Sequence, residues 1–169
     1  MIFRPQSSTL GFPRVELWES SIMLKIEFNN VSKSPLKKKF LEKIAGETIA
    51  RSGLLDVRKK NISLSFASVS EEEMKKINKN YRRKNMPTDV LSFAEYKNEK
   101  EIKKVVDKKV FLGEIILCYN NIEKYCQKNK LDLKKEMTKV ISHGVLHLLG
   151  FRHGKKMFGM QEKISKFKI

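Results

Sequence analysis

The chain has 169 residues, with 36 Lys or Arg against 19 Asp or Glu, and its formal net charge is +17 at pH 7. A domain of this length buries roughly 70% of the surface that its unfolded chain exposes, so its fold should not depend on metal or disulfides. The charge favours a polyanionic partner, with a merely solvated lysine-rich surface as the alternative. No apolar run reaches about eighteen residues, which excludes a membrane-spanning helix.

The two cysteines and the first residues bear on location and domain organisation. Cys118 and Cys126 form no CxxC pair, so we expect reduced thiols and a cytoplasmic protein. Residues 1–22 show no hydrophobic period and lack the apolar core of a secretory signal. We expect a disordered N-terminal extension over 1–22, or a true start at Met23, and a single metal-dependent hydrolase domain over 23–169.

Hydrophobic periodicity predicts four strands and at least four helices after residue 22. The segment from Lys97 to Lys109 is predicted to be a charged, exposed excursion between the last two strands. This order indicates an α+β (α/β-like) fold with a single mixed four-stranded sheet packed with helices. The strands are predicted at 24–28, 62–66, 89–93 and 110–118, and the helices at 34–53, 70–81, 120–128 and 131–149, with a plausible tail helix near 160–167.

All three histidines lie within one window of eleven residues, at His143, His147 and His153. Two histidines four apart on a helix project from one face, about 6 Å apart along the axis. Gly150 is placed to end this helix and to turn His153 back toward the pair. The spacing predicts a one-ion zinc site on the C-terminal helix and the following turn, because neutral imidazole is a favoured zinc ligand. Core histidines with hydrogen-bonded partners are the alternative.

A three-histidine zinc site differs from a structural zinc site, which usually has four protein ligands. The position left open can hold a water molecule whose pKa falls to about 7. Zinc proteases of the HExxH type carry a glutamate general base directly after the first histidine, whereas this chain has Gly144 there. The missing carboxylate disfavours peptide hydrolysis and makes the cleft better suited to a phosphodiester.

Four blocks of sequence, in order along residues 23–168, resemble the YbeY family of rRNA maturation factors. That family is described as single-strand-specific endoribonucleases with a three-histidine zinc site. The blocks are His143-Gly-Val-Leu-His147-Leu-Leu-Gly-Phe-Arg-His153, the segment from Asn80 to Phe93 that ends in Thr-Asp-Val-Leu-Ser-Phe, Leu112-Gly-Glu-Ile-Ile-Leu-Cys118, and Met157-Phe158 with Gln161-Glu-Lys-Ile164.

The resemblance implies a zinc-dependent endoribonuclease of rRNA processing and ribosome biogenesis, a hydrolase that cleaves phosphodiester bonds with a metal-activated water. Its implied partners are rRNA, ribosomal particles and ribosomal proteins. Arg82 matches the family's functionally important arginine, whose guanidinium would clamp a phosphate and stabilise its developing charge. Arg83 and Lys84 would contact the RNA backbone. The rival interpretation is a non-catalytic assembly factor that binds rRNA and ribosomes and has a structural zinc site.

One residue departs from the family pattern. Arg152 occupies the position of an aspartate next to the last histidine, where a carboxylate could orient a metal ligand, so metal affinity is the property that this change puts in doubt. The segment after His153 is also short, which should bring the tail helix close to the mouth of the site. Thr88 and Asp89 are expected to cap their loop, with support of the site as the alternative.

Overall fold

A computed structural model describes residues 23–55 and 60–166 of the chain. Strands and helices alternate as far as residue 117, and three helices follow. The strands are β1 (Leu24–Asn30), β2 (Asn61–Ser68), β3 (Val90–Ala94) and β4 (Lys109–Leu117), and the helices are α1 (Lys38–Ser52), α2 (Glu71–Arg82), α3 (Glu99–Lys104), α4 (Tyr119–Asn129), α5 (Leu133–Leu148) and α6 (Lys155–Ser165).

The four strands form one mixed sheet in the order β1-β2-β4-β3. Strand β2 pairs in parallel with both β1 and β4, whereas β3 pairs antiparallel with β4, from Val90 opposite Leu117 to Ala94 opposite Gly113. Parallel neighbours need a crossover connection: α1 lies in the one from β1 to β2, and α2, β3 and α3 lie in the one from β2 to β4. The predicted single mixed four-stranded sheet packed with helices is confirmed.

Helix α5 is the central helix of the fold and also carries the first two histidines. It packs against α1, α4, α6 and the β3–β4 side of the sheet. Its apolar residues Ile141, Val145 and Leu148 are fully buried in the main core. Burial of each such side chain contributes about 1.5–3 kcal/mol, so the packing of this helix fixes where its histidines lie.

Helix α2 begins with the cap that its sequence predicts. The Ser70 hydroxyl accepts a hydrogen bond from the Glu73 backbone N–H at 3.2 Å, and the Glu73 carboxylate accepts one from the Ser70 backbone N–H at 3.3 Å. This reciprocal pair satisfies two N–H groups that the first turn leaves without helical partners. Because this cap fixes where α2 begins, it also fixes the position of Arg82, the last residue of the helix, twelve residues after Ser70.

The prediction of an exposed excursion over Lys97 to Lys109 is wrong for its central part. Helix α3 forms there because the Asn98 side chain accepts hydrogen bonds from the backbone N–H groups of Lys100 and Glu101. Its one apolar residue, Ile102, is fully buried in the main core. A single apolar residue among lysines gives no period, so the pattern does not show the helix.

Two other helix starts differ from the prediction. Helix α1 begins at Lys38 and not at Ser34, whose hydroxyl is hydrogen-bonded to the side chains of Asn30 and Ser68 and does not cap the helix. Ser34 instead donates its backbone N–H to the Asn30 side chain at 2.9 Å. Helix α6 begins at Lys155, five residues before the predicted start, and so follows His153 almost directly.

The expected N-terminal extension over 1–22 lies outside the described residues. Within the described residues, no helix combines the length and the apolar character that crossing a bilayer requires.

Both cysteines are predicted to be unreactive in the native protein. Cys118 and Cys126 are free, buried thiols, and burial is the main cause that raises the pKa of each above its usual value. A raised pKa and buried sulfur both disfavour attack by the thiolate. Titration with a thiol reagent at neutral pH should modify neither cysteine until denaturant unfolds the chain. Rapid modification of one thiol in the folded protein would contradict this packing.

Candidate metal centre

The three histidines meet at their Nε2 atoms. The Nε2–Nε2 distances are 3.1 Å between His143 and His147, 3.0 Å between His147 and His153, and 3.2 Å between His153 and His143. His143 and His147 are half-buried on α5, and His153 is exposed on the turn after it. The spacing and the glycine turn therefore bring all three predicted ligand residues to one point.

Hydrogen bonds at the opposite ring nitrogen fix the tautomer of two histidines. The Nδ1 atom of His147 lies 3.0 Å from the Phe151 carbonyl oxygen, which can only accept, so this nitrogen donates. The Nδ1 atom of His143 lies 3.3 Å from Oε1 of Gln161, whose amide nitrogen donates to the Lys139 carbonyl at 3.1 Å. With the protons on Nδ1, both Nε2 atoms present lone pairs to the same point.

Converging lone pairs repel each other unless a cation lies between them. Three ring nitrogens 3.0–3.2 Å apart can all lie about 2.0–2.1 Å from one ion, the usual zinc–nitrogen distance. An acceptor on the far side of a ligating imidazole is also a common feature of metal sites. The donor set therefore fits a metal ion held by His143, His147 and His153.

The turn after α5 has the geometry that the glycine predicts. Gly150 has φ +80°, its N–H donates to the His147 carbonyl, and the Phe151 N–H donates to the Leu146 carbonyl. These two bonds are those of the Schellman motif, which ends a helix and reverses the chain. The reversal brings both the Phe151 carbonyl and His153 back toward His147.

The electrostatics of the site favour neutral imidazoles. Burial is the main cause that lowers the pKa of both His143 and His147 below the usual value. The neighbouring histidines and the positive charge of Arg82 lower the pKa of His147 further. Lower pKa values keep these rings deprotonated, the state in which imidazole binds a metal.

Arg82 lies beside the histidines, as the family resemblance implies. It lines with them a cleft of about 140 Å³ and, among the described residues, its guanidinium has no carboxylate partner. None of the residues lining the cleft is acidic, whereas Arg82 and Lys84 are cationic. The lining consists of Asn78, Arg82, Lys84, Thr88, Val90, Leu91, Ser92, His143, His147 and His153.

Gly144 allows α5 to approach the sheet closely. A Cβ atom at this position would lie 3.1 Å from Cδ1 of Ile115 and 3.3 Å from Oγ of Ser92. A side chain there would require Ile115 or Ser92 to shift by a few tenths of an ångström. The glycine therefore suits the close packing of α5 on β3 and β4, at the position where zinc proteases carry their glutamate base.

Arg152 does not contact the histidines. Its exposed side chain lines a separate groove between α3 and α6, together with Lys100, Lys103 and Lys156. The hydrogen bonds to the outer nitrogens of His147 and His143 come instead from the Phe151 carbonyl and Gln161. The departure from the family pattern therefore adds positive charge beside the site.

The loop before β3 divides its roles between two residues. Thr88 lines the cleft, whereas the Asp89 carboxylate accepts a hydrogen bond from the Asn121 side chain at 2.6 Å. The Asp89 carbonyl also accepts one from the Cys118 backbone N–H at 2.9 Å. Asp89 is thus structural, and Thr88 is the member of the pair that borders the site.

Two residues of the site were not assigned a role from sequence. Gln161 orients His143, and Phe158 stacks on His153. The tail helix α6 therefore lies close to the histidine site, as the short segment after His153 suggests. A sequence signal for Gln161 exists: it falls between Met157 and Ile164 on the buried face of α6, where a polar residue needs a partner. No comparable signal marks Phe158.

Replacement of Gly150 by alanine should destabilise the protein. Gly150 needs a left-handed conformation, and a Cβ atom would lie 2.4 Å from the Asn98 carbonyl carbon. We expect the free energy of unfolding to fall by more than about 2 kcal/mol, measured by urea denaturation. Gly159→Ala is the control, since a Cβ atom there meets nothing within 4 Å. Equal stability of the two variants would contradict the described turn.

Replacement of Gln161 by alanine should weaken metal binding. The variant loses the acceptor that holds His143 in its ligating tautomer, and loss of such partners lowers metal affinity about 10- to 100-fold. Zinc affinity would be measured by competition with a chromophoric chelator. Lys163→Ala, at an exposed position of the same helix, should leave affinity unchanged. Unchanged affinity in Gln161→Ala would show that this hydrogen bond has no role in the site.

Comparisons with known proteins show the family of the chain. A family model described as Endoribonuclease YbeY matches residues 26–167. The Endoribonuclease YbeY of Buchnera aphidicola (from Acyrthosiphon pisum) is 38% identical over 125 residues, 73% of this chain and 70% of that protein. That of Bacillus licheniformis is 35% identical over 131 residues, 73% of this chain and 80% of that protein.

A similar solved structure is available for comparison. The solution structure of TM1509 from Thermotoga maritima is 26% identical, with a TM-score of 0.53 over 85% of this chain and 87% of that one. The family match spans most of the chain and includes the histidine window, the Arg82 segment and the tail helix. The chain therefore belongs to the YbeY family of endoribonucleases.

Proposed function

We propose that this protein is a zinc-dependent endoribonuclease that cleaves single-stranded RNA during rRNA maturation, in the cytoplasm and in association with ribosomal particles. The observation that carries the proposal is the convergence of three Nε2 lone pairs beside an arginine without a carboxylate partner in the described ranges. Metal ligands and a cation in one cleft suit an anionic substrate. The names of the relatives support RNA as that substrate.

Zinc is the ion that the donor set favours. The three ligands are all imidazole nitrogens, which suit zinc, whereas carboxylate-rich sites suit magnesium, calcium or manganese. The cleft beside the histidines also leaves one side of the centre free of protein ligands within the described residues. When bound, zinc supplies Lewis acidity and lowers the pKa of water, which are the requirements of phosphodiester hydrolysis.

Arg82 is the residue that we assign to the phosphate. Its exposed guanidinium lies close enough to His147 to lower the pKa of that ring. A guanidinium can donate two parallel hydrogen bonds to a phosphate, and it stabilises the negative charge that increases during cleavage. Lys84, which lines the same cleft, adds a second positive charge for binding the RNA backbone.

The cleft contains no carboxylate general base among the described residues. Proton transfer must therefore use water, a phosphate oxygen of the substrate or one of the neutral polar groups, of which Thr88 and Ser92 line the cleft. This arrangement differs from a zinc protease, in which glutamate takes the proton. We assign no residue to the step.

Arg82→Ala and His147→Ala are expected to abolish or strongly reduce cleavage of a single-stranded RNA oligonucleotide. Removal of a group that stabilises developing charge lowers kcat about 10²- to 10³-fold, so Arg82→Ala should retain bound zinc and lose turnover. His147→Ala should lose both zinc and turnover. Zinc content by mass spectrometry and kcat from initial rates are the measurements.

Lys75→Ala is the matched control, since it removes one positive charge from an exposed position of the same helix outside the cleft. Its kcat should equal that of the original chain. Undiminished cleavage in both site variants would show that the activity is a contaminant. Ribosome binding without cleavage by the zinc-loaded chain would support the rival assembly factor with a structural zinc site.

A further inference from the structure

Phe158 is an exposed aromatic residue beside the metal centre. Its side chain lies on α6 and is 51% exposed. Its ring stacks on His153, with 5.9 Å between centroids and 12° between planes. The neighbouring Phe151 is only 2% exposed and packs in the main core. Phe158 therefore leaves much of its apolar surface in water directly next to a ligand ring.

The position of Phe158 complements that of Arg82. Helix α6 contacts the histidines through Phe158 and Gln161, which are three residues apart and so share one face of the helix. Arg82 instead borders the cleft from the end of α2. A cation that can bind a phosphate and a flat apolar ring thus lie on different elements around the same three histidines.

A nucleotide carries the same two features, an anionic phosphate and a flat base. We infer that Phe158 stacks on an unpaired base of a nucleotide next to the phosphate bound at the histidines. This inference rests on the proposed function and names a further substrate-binding residue for it. Aromatic side chains stack on bases without regard to sequence, and stacking needs a base that is not already paired and stacked in a duplex.

Phe158 differs from Tyr81 and Tyr125, two other exposed aromatic side chains. Tyr81 is 69% exposed, but its ring packs edge-on against Phe93 at 4.8 Å and not against a histidine. Tyr125 is 50% exposed on α4, and among the described residues its ring stacks on no histidine, whereas that of Phe158 stacks on His153. Tyr125→Ala is therefore a control that removes an equally exposed ring from another helix.

The test uses the zinc-loaded full chain and an RNA oligonucleotide with one cleavage site. A series of oligonucleotides removes one base at a time near that site and leaves an abasic sugar. Phe158→Ala should raise KM for the intact RNA by about 5- to 150-fold, the range for loss of one stacked base. Phe158→Trp should keep KM near its original value, and Tyr125→Ala should leave it unchanged.

Coupling between the variant and the missing base separates stacking from a structural role. For one of the abasic RNAs, the original chain should show a KM as high as that of Phe158→Ala for the intact RNA. Phe158→Ala should not raise the KM for that abasic RNA any further. An equal effect of Phe158→Ala on the intact RNA and on every abasic RNA would overturn the inference, as would a KM of the zinc-loaded variant for intact RNA equal to that of the original chain. Failure of the original chain to cleave any RNA would instead contradict the proposed function.

Discussion

The metal centre depends on two hydrogen bonds that hold protons on the outer nitrogens of the histidines. The Phe151 carbonyl accepts from His147, and Gln161 accepts from His143, so the inner Nε2 atoms face one another with lone pairs. Without a cation these lone pairs repel, and without the acceptors the rings could turn or change tautomer. The fold supplies the acceptors from the turn after α5 and from α6, which explains why both segments lie against the histidine helix.

Two glycines decide which chemistry this helix can support. Gly150 turns the chain so that His153 completes the ligand set, and Gly144 lets α5 pack directly on Ile115 and Ser92. Gly144 stands where a zinc protease carries glutamate. Among the described residues the cleft is lined by Arg82 and Lys84 and by no carboxylate, so its positive charge suits an anionic substrate.

Local patterns predicted much of the site, whereas contacts between distant segments were not predicted. The histidine spacing, the glycine after it and the Ser70 cap each depend on neighbours a few residues away, and all three have the expected geometry. The place of Arg82 beside His147 came from the family resemblance. The partner of Gln161 and the burial of Ile102 depend on segments that meet only in the folded chain.

Removal and return of the metal test the central claim most directly. The protein would be stripped with a chelator, and cleavage of single-stranded RNA would be followed as zinc is added back in fractions of one equivalent per chain. Convergence of three ligands on one point predicts a rate that rises to a plateau at about one zinc ion per chain, and no such rise in His153→Ala. A rate that is the same in the stripped and the zinc-loaded protein would contradict a metal-dependent nuclease.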